Sequence, residues 1–324
     1  MSSVAAARGG ARYAYATLAF VMLFWAGNSI VGRAIRDDIP PFTLALVRWV
    51  GASAVLLPLA WRQLVKDHEE MLRHWKIMLA LGVFGVAGFN GFLYSGLHYT
   101  SATNSLLLQA AIPGGVLLMD RVLFRQKSSA GQILGVFLSA LGVIVVVVQA
   151  DVRLLANFRF SFGDVLVLGG VLVWSLYTSL LRLKPAVHQL SFLLVTFVIA
   201  ALCMAPLALA EWNAAQRMEF DAELLAACAY VAIFPSVLSY LLFNMAVERI
   251  GASRAGQTIS LMPLFGAGLA AILLDEPLHG YHIAGMAFIL GGIALGILTA
   301  PGGPAAANDP AHRRRGGMDS SHHV

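Results

Sequence analysis

Arg48 offers the most chemistry in this chain, because it stands inside a long apolar run at 41–61. A guanidinium at that depth costs about 2.5–3.5 kcal/mol on insertion scales, so it must face protein or water and find acceptors. Two uses fit. It is a counter-charge for a carboxylate or other anionic group on a substrate, or a structural clamp on helix carbonyls or on Asn28. A second constellation follows: Asn90 and Tyr94 share a helical face, and so do Tyr240 and Asn244. These four suit a cavity wall of amide and phenol groups, or hydrogen bonds between helices, which are worth under about 2 kcal/mol in a membrane. Trp25, Asn28 and Ser29 on one run, and Trp174, Tyr177 and Thr178 on another, add aromatic and polar groups. Asn104 and Gln109 precede Pro113, as Gln257, Thr258 and Ser260 precede Pro263.

The sets are ordered by a repeat. Pro113 and Pro263 lie 150 residues apart, as do Phe84/Phe234, Ala102/Ala252, Leu123/Leu273, Ile133/Ile283, Gly135/Gly285 and Gly142/Gly292. At this offset Asn90 falls on Tyr240 and Tyr94 on Asn244, so each half carries one Asn and one Tyr in swapped order. Trp25 falls on Trp174 at an offset of 149. Two related apolar halves, each with a proline-interrupted helix, mark a secondary transporter. Each proline also frees the carbonyl four residues earlier, at Gln109 and Ile259. Freed carbonyls at membrane depth are tolerated when buried in protein or facing a water-filled cavity. Pro113 and Pro263 are therefore expected to gate or bind, with a plain packing kink as the alternative.

The elements that position these residues follow from composition. The chain is 59% hydrophobic and 12% charged, with a mean hydropathy of +0.76, so its solvent is mostly lipid. Apolar runs fall at 13–32, 41–61, 75–97, 101–123, 129–149, 163–182, 189–210, 224–246, 254–275 and 280–299. Each is about 20 residues, enough to cross about 30 Å of hydrocarbon as a helix. Runs such as Val143 to Val148 lack the alternation of strands. The expected fold is an all-α membrane protein of ten transmembrane helices. The first run is expected to stay as a span, since no small-x-small cleavage pattern follows it. Gly82, Gly85, Gly88 and Gly91 form a small-residue stripe. Gly131/Gly135 and Gly292/Gly296 are GxxxG pairs, expected to join the two halves of one chain more readily than two chains. Cys203 and Cys228, both in spans, read as packed thiols.

Charge gives the orientation. With the N-terminus inside, sixteen of the 22 Lys and Arg fall in internal segments, five in external ones, and Arg48 within a helix. The positive-inside rule then puts both termini in the cytoplasm. The formal charge of +5 is thus topological and gives no sign of nucleic acid as a partner. Arg125-Gln126-Lys127 ends the fourth run where Asp275-Glu276-Pro277 ends the ninth. Opposite charges at equivalent positions mean opposite compartments, hence two inverted five-helix repeats around a central cavity. The expected layout is a cytoplasmic tail 1–12, a first repeat 13–149, an external linker 150–162, a second repeat 163–299 and a disordered tail 300–324. The stretch 62–74 is expected as a charged loop. His322 and His323 lie in the tail and read as solvated. No HExxH, GxxxxGK[ST] or Cys/His metal spacing occurs, so no metal, cofactor, ATP-driven or enzymatic role is indicated. Asp120, Asp164, Glu248, Asp275 and Glu276 lie toward helix ends, so a midplane proton relay is not legible.

Phe24-Trp25-Ala26-Gly27-Asn28, then Pro40-Pro41-Phe42 and Arg48-Trp49, resembles the opening of an EamA-type half in the drug/metabolite transporter superfamily. Tyr99-Thr100-Ser101-Ala102 to Pro113, Ile250-Gly251-Ala252-Ser253 to Pro263, and Asp275-Glu276-Pro277-Leu278 are similar to further parts of that pattern. The first half departs from it at Arg125-Gln126-Lys127. The resemblance implies ten helices in two inverted halves and export of amino acids, metabolites or drugs. The expected function is export of small metabolites, foremost amino acids with hydrophobic or aromatic side chains. The partners are then the small-molecule substrate and the lipid bilayer, with a monomer preferred over a homodimer. Arg48 would neutralise the carboxylate. Asn28, Asn90, Tyr94, Tyr240 and Asn244 would offer hydrogen bonds, and Trp25, Trp174 and Tyr177 aromatic surface. Rivals are an exporter of neutral or cationic drugs, and a non-transporting scaffold or receptor.

Overall fold

The computed structural model describes residues 2–100, 102–109, 111–147, 161–211, 218, 221–273 and 280–299. Among these, every regular element is helical. In chain order they are α1 (Ser2–Ala34), α2 (Pro41–Arg73), α3 (Trp75–Tyr99), α4 (Ala102–Gln109), α5 (Ile112–Phe124) and α6 (Ala130–Val147). The second half has α7 (Phe162–Leu180), α8 (Gln189–Ala210), α9 (Ala222–Ile250), α10 (Ala252–Gln257), α11 (Met262–Leu273) and α12 (Gly280–Leu298). Six stretches are long and apolar enough to cross a membrane: Tyr13–Ala34, Pro41–Arg73, Trp75–Tyr99, Phe162–Leu183, Gln189–Ala210 and Ala222–Ile250. Helices α6 and α12 supply shorter apolar stretches, Ala130–Gly142 and Ile283–Gly296.

Two local expectations change. The runs 101–123 and 254–275 are each divided, into α4 and α5 and into α10 and α11, with a 3-10 turn at Thr258–Leu261 in the second. Pro113 and Pro263 sit in the first turns of α5 and α11, where a missing N–H has no partner to lose. They start new helices rather than kink old ones. The stretch 62–73, expected as a loop, is the end of α2. Its Lys, Arg, Glu, Gln, Met and Leu are strong helix formers, and Arg73 pairs with Glu70 one turn back at 3.4 Å. The backbone of α1 is helical from Ser2, and its apolar span begins at Tyr13. Residues 150–160, the Asp275-Glu276-Pro277 turn and the tail 300–324 lie outside the described residues.

Two pairs of helices at equivalent places in the two halves, α2 with α8 and α6 with α12, pack against one another and run antiparallel. On α2 and α8 the ends are exchanged. Glu211, just past α8, accepts hydrogen bonds from the Phe42 and Thr43 amides (3.2 and 2.8 Å) and from the Thr43 hydroxyl (3.0 Å). Asp67, near the end of α2, accepts from the His188 amide at the start of α8 (2.9 Å). Each N-terminus thus carries an acid from the other helix, which its partial positive charge favours. On α6 and α12, a methyl carbon added to Gly135 would lie 2.5 Å from the Gly292 carbonyl oxygen, and one added to Gly142 2.6 Å from that of Gly285. The Ser139 hydroxyl donates to the Ile289 carbonyl between them (3.3 Å). The GxxxG pairs therefore meet within one chain. The remaining pairings are also reciprocal: the Tyr99 and Phe162 rings of α3 and α7 (5.5 Å) match Arg249 over the Tyr13 ring of α9 and α1 (5.7 Å).

Residues that touch their own equivalents must lie near the pseudo-two-fold axis relating the halves. Ser139/Ile289 is one such pair, Asn90/Tyr240 another, and Trp25/Trp174 a third. The axis therefore passes through the polar and aromatic residues singled out in the sequence. Near it both α3 and α9 widen into π turns, Leu81–Gly88 and Ile233–Leu238, at matching places in the repeat.

Candidate functional site

The site is built around Arg48, which α2 carries into the core with 1% of its surface exposed. Nε donates to the Ser236 hydroxyl (2.6 Å). Nη1 faces Asn28 Oδ1 (3.0 Å), Asn90 Oδ1 (2.8 Å) and the Tyr94 hydroxyl (2.7 Å), and Nη2 donates to the Pro235 carbonyl (3.2 Å). The Trp49 ring lies 4.7 Å from the guanidinium carbon. All five acceptors are neutral. None of them offsets the formal charge of the guanidinium, and that leaves the site electropositive.

The π turns explain why backbone carbonyls reach this point. A π turn widens the hydrogen-bonded ring and leaves carbonyls turned inward, a geometry common at functional sites. In α9, Pro235 O accepts from Arg48 and from Trp25 Nε1 (3.0 Å), and Ser236 Oγ donates back to Val231 O (2.6 Å). In α3, at the equivalent position, Gly85 O accepts from the Tyr240 hydroxyl (3.1 Å). Each half thus offers a carbonyl to a side chain of the other. Gly85 is needed for another reason as well: an added methyl carbon would lie 2.0 Å from the Tyr177 ring.

The Asn and Tyr residues swap between halves as a complete circuit. Tyr94 donates to Asn28 Oδ1 (2.9 Å), joining α3 to α1. At the equivalent place, Tyr177 donates to Asn244 Oδ1 (2.9 Å), joining α7 to α9. Asn90 Nδ2 donates to Val86 O (3.2 Å) and to the Tyr240 hydroxyl (3.4 Å) across the axis. Among the described residues, Asn244 Nδ2 and Trp174 Nε1 are buried donors without a partner.

A cleft on the axis is lined by Trp25, Asn28, Arg48, Trp174 and Tyr240, with Gln109/Ile259 and Ile112/Met262 as equivalent pairs, and Phe89 and Leu93 beside them. Its volume is about 10 Å³, room for about one water. Trp25 and Trp174 meet edge to face at 5.0 Å, and Phe89 lies 4.8 Å from Trp174. Asn90 and Tyr94 stand behind Arg48 rather than on the wall, and Tyr177 and Asn244 form their own pair beyond Trp174. Pro113 and Pro263 are not on the wall; the residues before them, Ile112 and Met262, are. Sequence reasoning missed Pro235 and Ser236, although a proline in the apolar run before Tyr240 was a visible signal. Cys203 and Cys228 are both free and half-buried, away from this wall. Among the described residues no group of three metal-ligating side chains gathers.

A wider pocket of about 740 Å³ opens at one end of the helices, between the α1–α2 connection, the end of α3, the start of α7 and Glu211. Arg36, Asp37, Asp38 and His98 line it.

A helical membrane protein with two repeats closing on a polar, aromatic cleft is a transporter by its architecture. The EamA-like transporter family model matches the chain twice, over residues 12–148 and 161–298, and the chain belongs to that family. The uncharacterized transporter YyaM of Bacillus subtilis is 27% identical over 78% of this chain and 81% of its own length. An uncharacterized transporter of Archaeoglobus fulgidus is 29% identical, covering 86% of this chain and 95% of that protein. A protein crystal structure with 17% identity superposes with a TM-score of 0.71, over 92% of this chain and 99% of that one, and shares the fold.

Proposed function

We propose that this transporter exports small metabolites that join a carboxylate to an apolar or aromatic body, the class that includes amino acids with hydrophobic or aromatic side chains. One observation carries the reading: the buried Arg48 guanidinium has only neutral acceptors and lines the cleft. A substrate carboxylate would supply the missing counter-charge, and Trp25, Trp174 and Tyr240 would pack its body. The antiparallel packing of α2 on α8 and of α6 on α12 supports two inverted five-helix repeats, ten spans in all, and the excess of Lys and Arg in the internal segments supports a bacterial inner-membrane protein with both termini in the cytoplasm.

Alternating access would rock one half against the other about the axis. The cleft has room for about one water, so binding requires it to widen. Helices α5 and α11 begin with Ile112 and Met262, which stand in its wall, so their displacement would open it. The test is efflux of labelled carboxylated metabolites from cells making wild-type or Arg48→Gln protein at equal membrane levels. Loss of efflux by at least about 10-fold is expected, the weight of one charge-assisted contact. Unchanged efflux of every carboxylate would remove the reading.

A further inference from the structure

We infer that, among the carboxylates of the proposed class, the cleft favours monoanions that lack an amino group over the zwitterionic amino acids of the same shape. The inference rests on the proposed role of Arg48 and sharpens it. The first ground is charge. Among the described residues no Asp or Glu stands on the cleft wall, and every acceptor around Arg48 is neutral. A monoanion makes the occupied site neutral. A zwitterion brings its own cation and leaves the site as positive as before.

The second ground is the hydrogen-bond inventory. Nη2 of Arg48 carries two N–H groups and meets one acceptor, Pro235 O. Trp174 Nε1, also on the wall, is a buried donor with no partner. Acceptors, by contrast, are engaged. Asn28 Oδ1 receives Arg48 and Tyr94, Pro235 O receives Arg48 and Trp25, and the Tyr240 oxygen is held between Asn90 and Gly85. Among the described wall residues Gln109 remains, with its Oε1 and the carbonyl that Pro113 frees, two acceptors for an ammonium with three N–H groups. The rings make no cage for a cation either, because Trp25 and Trp174 are turned on one another at 85°.

A carboxylate on Arg48 would hold its α-ammonium about 6 Å from the guanidinium. At an effective dielectric near ~20 that repulsion corresponds to about 100-fold in affinity. Water entering with the ligand would screen part of it, so a preference of at least about 10-fold is expected.

The test is tryptophan-fluorescence titration of the purified full chain near neutral pH, with matched pairs that differ only in the amino group. The pairs are hydrocinnamate against phenylalanine and isocaproate against leucine, with phenethylamine as a cation. Each deaminated acid should bind at least about 10-fold tighter than its amino acid, and Arg48→Gln should shrink that ratio to under about 3-fold. Trp174→Phe, followed through the five remaining tryptophans, should weaken the acids about 3- to 10-fold by removing the unpaired donor. Amino acids binding as tightly as their deaminated partners would overturn this inference while leaving the carboxylate reading in place. Preference for phenethylamine, or no binding by any of the five, would overturn both.

Discussion

Replacing Gly135 with alanine tests the seam that holds the halves together. The added methyl carbon would lie 2.5 Å from Gly292 O, 2.9 Å from Gly296 N and 3.2 Å from Gly296 Cα. All three are backbone atoms, so no side chain can swing aside. A comfortable carbon–oxygen approach is about 3.3–3.6 Å, and α12 must therefore retreat by roughly 1 Å. A gap of that size forfeits a quarter to a half of each dispersion contact along the seam, and overpacking of this kind costs about 1–3 kcal/mol. The same retreat relieves the matching contact of Gly142 on Gly285. Gly135→Ala with Gly142→Ala should then cost less than the sum of the two alone. Urea unfolding in detergent, repeated over a range of protein concentrations, measures this. A loss below about 0.5 kcal/mol, strict additivity, or a loss that varies with protein concentration would refute a seam internal to one chain.

Three further outcomes follow from the same contacts. Glu211→Ala removes the acid from the start of α2 and should lower stability by about 1–2 kcal/mol, with faster amide exchange at Phe42 and Thr43 while the start of α8 stays protected. Tyr177→Phe leaves Asn244 without its donor and should cost about 1 kcal/mol, whereas adding Asn244→Leu to it should recover part of the loss in a double-mutant cycle. Cysteines placed at Gly256 and Val116, where an added carbon falls 3.6 Å from Val116 Cβ, should cross-link α10 to α5 within one chain and leave its mass on a denaturing gel monomeric.

What the letters of the chain revealed, and what they hid, divides along a physical line. Arg48, Asn90, Tyr94, Tyr240 and Asn244 were legible because an ionisable or amide group inside an apolar run has few structural excuses. The swapped Asn and Tyr were legible because the repeat aligned them. Pro235 O and Gly85 O were not, since every residue has a carbonyl and only the π turns make these two face inward. Helix breaks were misplaced for a related reason: a proline reads the same whether it kinks a helix or begins one, and Pro113 and Pro263 begin theirs. At 62–73 the density of charge suggests a loop, although a helix leaving lipid turns charged without unwinding. Glu211 and Asp67 passed unnoticed because their partners are backbone amides on helices far away in sequence.

The axis through Asn90 and Tyr240 carries a consequence for symmetry itself. Two identical repeats facing each other would bring every residue on the axis against a copy of itself. Two asparagine amides, or two tyrosine hydroxyls, would then compete for one geometry, and a guanidinium in each second helix would set two like charges across one cleft. Joined in a single chain, the repeats are free to differ. One side supplies the amide and the other the phenol, α2 carries an arginine, and α8 carries no basic residue at all. The folded scaffold keeps its two-fold order, while Arg48, the one charge on the described cleft wall, stands outside it.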